Sequence, residues 1–73
     1  MKIISMNQKT KFLIFCIEEY KNAKKLTGKQ VIALFAENSI MDFILDCYGA
    51  LHTEGVKAII WEIDDYIANR KAS

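Results

Sequence analysis

The residues with chemical reach gather in one short stretch. Asp46-Cys47-Tyr48-Gly49-Ala50-Leu51-His52-Thr53-Glu54-Gly55 holds the single His, one of the two Cys and two of the three Gly. A Cys–His pair would supply a nucleophile and its base, and His52 with a carboxylate would supply a proton carrier. Both need their partners within hydrogen-bond reach and a third group to orient the base. Spacing argues against the first. Five residues of helix turn through about 500°, which leaves Cys47 and His52 about 140° apart on different faces. For the second, the carboxylates at hand are Glu54 on the same turn and Asp46 one to two turns earlier, and nothing orients the imidazole toward either. His52 is therefore expected to be a helix-end residue whose ring caps backbone carbonyls or the Thr53 hydroxyl.

The remaining candidates have bland explanations as well. Cys16 and Cys47 fall on the inward stripes of their helices and are expected to act as small buried hydrophobes. Zinc takes four ligands, and two Cys with one His offer neither the number nor the paired spacing. Glu18-Glu19 and Asp64-Asp65 are adjacent in sequence, so each pair diverges by about 100° around its helix. They are expected on solvated faces. No catalytic residue, metal ligand or cofactor is assigned, and the chain is not expected to be an enzyme.

Seventy-three residues bound the chain to one domain. The apolar fraction of 52% is high for that size, so a second chain could bury part of it. Net charge is only +1, which gives no general pull toward nucleic acid. The charge is unevenly placed, however. Residues 1–30 carry seven Lys against Glu18 and Glu19, and residues 31–65 carry seven acids against Lys57. The two halves are expected to attract each other within the fold. Lys2 is followed by only Ile3 and Ile4 before Ser5, which is not a secretory pattern. No apolar run approaches the length of a membrane span. A cytoplasmic protein with reduced thiols and no membrane contact is expected.

The elements that position these residues read as helices throughout. Residues 1–6 are expected to form a loose arm and 7–73 a single helical domain. The first helix starts at the N-cap Asn7 and runs to about Lys25, with Leu13, Cys16, Ile17 and Tyr20 on one face. Its block Phe12–Ile17 is apolar nearly all round, so Phe15 is expected to be absorbed by a second packing surface. Thr27-Gly28-Lys29-Gln30 forms a capping box and opens a short second helix with Val31, Leu34 and Phe35 inward and Ile32 nearby. Ser39 is expected to cap a third helix that runs to Leu51, with Ile40, Phe43, Ile44, Cys47, Tyr48 and Leu51 along its stripe. A fourth helix from Gly55 to Lys71 carries Val56, Ile59, Ile60, Ile63 and Ile67. The expected fold is all-α: a small compact bundle of four helices, the second one short, with the long first and fourth helices packed together.

Three surfaces then compete for a function. The second and third helices have the outline of a helix-turn-helix. Its reader would present Met41, Asp42, Leu45, Asp46 and Gly49, with no side chain suited to base edges and two carboxylates facing phosphate. The Lys21, Lys24, Lys25 and Lys29 cluster complements a helix end and could also meet a phosphate backbone. Trp61 lies about 150° from the middle of its helix's apolar stripe, among Lys57, Asp64, Asp65 and Ala68. A large aromatic on a polar outer face is the profile of an interface anchor.

Several segments together carry a family resemblance. They are Lys11-Phe12-Leu13-Ile14-Phe15-Cys16-Ile17-Glu18-Glu19-Tyr20-Lys21, Leu26-Thr27-Gly28 with Leu34-Phe35, Cys47-Tyr48, Leu51-His52-Thr53 with Gly55, and Ile63-Asp64-Asp65-Tyr66-Ile67. Across residues 8–67 the chain resembles a family of short uncharacterised bacterial proteins, a domain of unknown function. The resemblance implies a frequent genomic neighbour similar to an ADP-ribosyltransferase, in an arrangement like a toxin and its small antidote. It implies no catalytic residues.

The expected function is a non-enzymatic protein–protein interaction module, with Trp61, Asp64, Asp65, Met41 and Leu45 as partner-binding residues. The partner is another protein, with the ADP-ribosyltransferase-like neighbour as candidate, or a further copy of the chain. The alternative is a small nucleic-acid-associated regulator using Lys21–Lys29.

Overall fold

A computed structural model describes residues 7–72; the expected arm at 1–6 lies outside them. Five helices follow one another: α1 (Gln8–Lys24), α2 (Gly28–Glu37), α3 (Ile40–Asp46), α4 (Tyr48–Leu51) and α5 (Val56–Ala72). Among the described residues the fold is all-helical, with five helices where four were expected.

Local chemistry sets most of the boundaries. The Asn7 side chain accepts from the Thr10 N–H at 2.8 Å and starts α1, satisfying an amide that the helix leaves free. Lys25 ends it in the left-handed region, with φ 57° and ψ 44°, and the Leu26 N–H returns to the Lys21 carbonyl at 3.0 Å. The capping box of α2 forms as expected. The Gln30 N–H donates to Thr27 Oγ1 at 3.1 Å, and the Thr27 N–H donates to Gln30 Oε1 at 2.9 Å.

Two expectations about the third helix need correction. Ser39 does not cap it through its side chain. The residue sits at φ 57°, ψ 31°, the left-handed turn that closes α2. A capping side chain needs extended backbone to reach back over the first amides. Buried Asn38 does the polar work at this corner by donating from Nδ2 to the Leu34 carbonyl at 2.9 Å. The single helix expected from Ser39 to Leu51 is also broken at Cys47, whose φ of −101° and ψ of 17° leave the helical region. The Ala50 N–H then bonds only three residues back, to Cys47. Gly49, a poor helix former, sits just past the break.

The core draws on every helix. Cys16 and Tyr20 from α1, Val31 and Phe35 from α2, Ile40 and Ile44 from α3, Leu51 from α4, and Ile59, Ile63 and Ile67 from α5 form one buried cluster. The Tyr20 and Phe35 rings meet at 5.4 Å with a 59° tilt. Phe43 stacks on Tyr66 at 4.3 Å and joins α3 to α5. The long first and last helices do pack together. Across them, Tyr20 Oη donates to Asp64 Oδ1 and Lys24 Nζ donates to Asp64 Oδ2, both at 2.6 Å. Lys24 comes from the basic half of the chain and Asp64 from the acidic half, so the expected attraction between halves is realised at this contact.

Phe15 is not absorbed. It is exposed, as are Ile14 and Ile32. The apolar block of α1 turns one face to the core, and no other helix among the described residues covers the opposite one.

Thr27→Ala removes the capping hydroxyl of α2 and is expected to lower stability by about 1 kcal/mol, read from urea denaturation followed by circular dichroism. A second expectation concerns alkaline pH. Burial pushes the Cys16 thiol from its ordinary 9.0 up to about 12. Burial, and after it the hydrogen bond to Asp64 and that group's negative charge, also hold the Tyr20 hydroxyl above its ordinary 10.0. Both folded-state values are raised, so above pH 9 the unfolded chain gives up protons that the native chain keeps. The stability is full below that pH and is lost as pH rises, by at most about 1.4 kcal/mol per pH unit for each group. In Cys16→Ala the decline should begin nearer the tyrosine range. Denaturation midpoints measured across alkaline pH test this.

Candidate interaction surface

The chemical stretch resolves into a corner between α4 and α5. His52 Nδ1 lies 2.7 Å from the Tyr48 carbonyl; a carbonyl only accepts, so Nδ1 carries the proton. The imidazole also stacks on the Tyr48 ring at 4.4 Å with 5° between planes. Thr53 Oγ1 donates to the Ala50 carbonyl at 2.8 Å. Both side chains thus cap the end of α4, as expected of a helix terminus. Glu54 Oε1 is buried with no hydrogen-bond partner. Cys16 is buried, and Cys47 is half-buried against the core. No group of three or more His, Cys, Asp or Glu among the described residues is arranged to hold a metal ion.

The lysine cluster is partly spoken for. Lys21 reaches Glu18 at 3.4 Å within α1, and Lys24 is held by Asp64. Lys25 occupies the left-handed end of α1, and Lys29 is exposed on the first turn of α2. The would-be reading helix α3 is only seven residues long.

Trp61 stands apart from these. It is 64% exposed, more than any other large apolar residue among those described. Helical spacing sets Lys57, Ala58, Asp65 and Ala68 around it, and all four are exposed. The small alanines leave the indole standing above the helix surface. The opposite side of α5 is fixed by buried Ile59, Ile63 and Ile67, so the ring is presented from a firmly seated element.

The five residues expected to bind a partner are not equivalent. Asp65 is exposed beside Trp61 and accepts from Asn69 Nδ2 at 3.2 Å. Asp64 is turned toward α1, where both its oxygens are engaged. Met41 and Leu45 are half-buried on α3, and Met41 packs against the core. Sequence reasoning passed over the exposure of Ile14, Phe15 and Ile32. A signal was present for the first two, because both fall off the apolar stripe of α1.

No helix among the described residues is long and apolar enough to cross a membrane. Comparison with curated proteins and with solved structures finds no match. Residues 11–70, from the first turn of α1 almost to the end of α5, match the family model described as a protein of unknown function, DUF3791, and the chain belongs to that family.

Proposed function

We propose that this chain is a non-enzymatic protein–protein interaction module that docks through the outer face of α5. The observation that carries the reading is Trp61, 64% exposed on a helix whose other side is locked into the core. An indole brings a large contact area with little rotamer freedom to lose, and one polar N–H for orientation. Such residues dominate interface energies when a partner desolvates them. Lys57 and Asp65 supply a charged rim of mixed sign.

The family resemblance supplies a candidate partner, the ADP-ribosyltransferase-like protein encoded beside such chains in bacteria. In this reading the chain is its small antidote or regulatory subunit, acting in the cytoplasm by covering or stabilising it. Nucleic-acid binding through Lys21–Lys29 has less support, since Lys21 and Lys24 already face carboxylates.

Trp61→Ala should leave the circular dichroism spectrum unchanged and weaken binding to the neighbouring protein by about 2 kcal/mol or more, measured by titration calorimetry. Because Trp61 is the only tryptophan, its fluorescence should shift to shorter wavelength as the partner covers it. A folded variant that binds undiminished would remove Trp61 from the interface. A gel shift at low salt that disappears steeply with added salt would instead favour the phosphate-binding reading.

A further inference from the structure

The outer face of α1 carries a pattern that the Trp61 reading does not use. Lys11, Ile14, Phe15, Glu18 and Asn22 are all exposed, and at about 100° per residue they fall on one stripe opposite Cys16 and Tyr20. Ile14 and Phe15 are 44% and 41% exposed. The Phe15 ring stacks on Phe12 at 6.1 Å, and Phe12 meets Tyr48 edge-on at 5.5 Å. Phe15 is thus backed from behind while its outer side faces solvent.

The stripe is self-complementary. Its midpoint lies between Ile14 and Phe15, and Lys11 and Glu18 sit equally far on either side, each about 5 Å along the helix axis. A two-fold axis through that midpoint, normal to the plane of two antiparallel α1 helices, brings Phe15 to Phe15 and Ile14 to Ile14. The same operation sets Lys11 of each copy against Glu18 of the partner subunit, twice. In a two-fold interface each contact recurs with its partners exchanged, and the order of apolar and charged residues on this stripe satisfies that rule. Glu18 already pairs with Lys21, but its side chain keeps 57% of its surface exposed and can accept a second cation.

We infer that a second copy of this chain docks antiparallel on the outer face of α1, forming a two-fold dimer centred between Ile14 and Phe15. A standard interface takes about 800 Å² from each partner, about 15% of the 5179 Å² surface of this chain. One face of a 17-residue helix offers less than that. The dimer is therefore weak, populated at high protein concentration and loosened by salt, because its two ion pairs lie on a narrow interface that salt can reach.

Sedimentation equilibrium over a wide concentration range tests this. The unmodified chain should show a monomer–dimer equilibrium. Lys11→Glu faces two carboxylates in place of two ion pairs and should weaken association about tenfold. The same change suits the positive N-terminal end of α1, so the variant stays folded, with circular dichroism as the check. Adding Glu18→Lys to Lys11→Glu exchanges the charges and should restore most of the loss. Trp61→Ala should leave the dimer intact, which separates this surface from the one on α5. A monomer at every concentration would overturn the inference. So would a dimer indifferent to Lys11→Glu, or one that the double exchange fails to rescue.

Discussion

Three isoleucines of α5, at 59, 63 and 67, enter the same buried cluster as Phe35, Ile40 and Ile44, and this is the contact on which the remaining structure depends. A chain of this size buries a modest share of its surface and is stable by a small margin. Neither α1 nor α5 covers its apolar stripe alone, and the short helices between them are too brief to persist outside a packed structure. Closing the last helix over the middle of the chain removes water from all of them at once. The polar contacts then settle the alignment. Asp64 accepts from both Tyr20 and Lys24, which fixes how far α5 can slide along α1.

Where a helix end had a chemical signature, the sequence was readable. Asn7 and the Thr27–Gln30 box declare their starts, and the spacing of Ile59, Ile63 and Ile67 declares a buried face. The corner at Ser39 is ambiguous in sequence because serine is both a good cap and a tolerable turn residue. Only the backbone angle distinguishes the two roles. The break at Cys47 was hidden because the apolar stripe runs through it without interruption. The periodicity of side chains carries no mark of one irregular peptide.

The apolar block in α1 is less buried than its composition suggests for a different reason. An all-apolar segment says that some of it is covered, not how many neighbours exist to cover it. With so few helices, Phe12, Leu13, Cys16 and Ile17 are covered by the core, while Ile14 and Phe15 stay exposed. Trp61 was legible because its neighbours one turn away are charged or small, so no internal surface could claim it. Asp64 illustrates the limit of that reasoning. Its sequence neighbours suggest an outer rim, yet a long Tyr and a long Lys on another helix reach it.

The pairing of α1 with α5 also bears on how the protein is made. The earlier helices can pack on one another as they are made, as Tyr20 of α1 does with Phe35 of α2, but their shared core stays incomplete until α5 is present. The isoleucines that complete the core arrive near the end of the described chain, and so does Asp64, which aligns the two long helices. Until then the cluster around Phe35, Ile40 and Ile44 lacks the cover that Ile59, Ile63 and Ile67 supply. A nascent chain that has not yet reached Ile67 therefore exposes apolar surface that α5 covers in the finished fold.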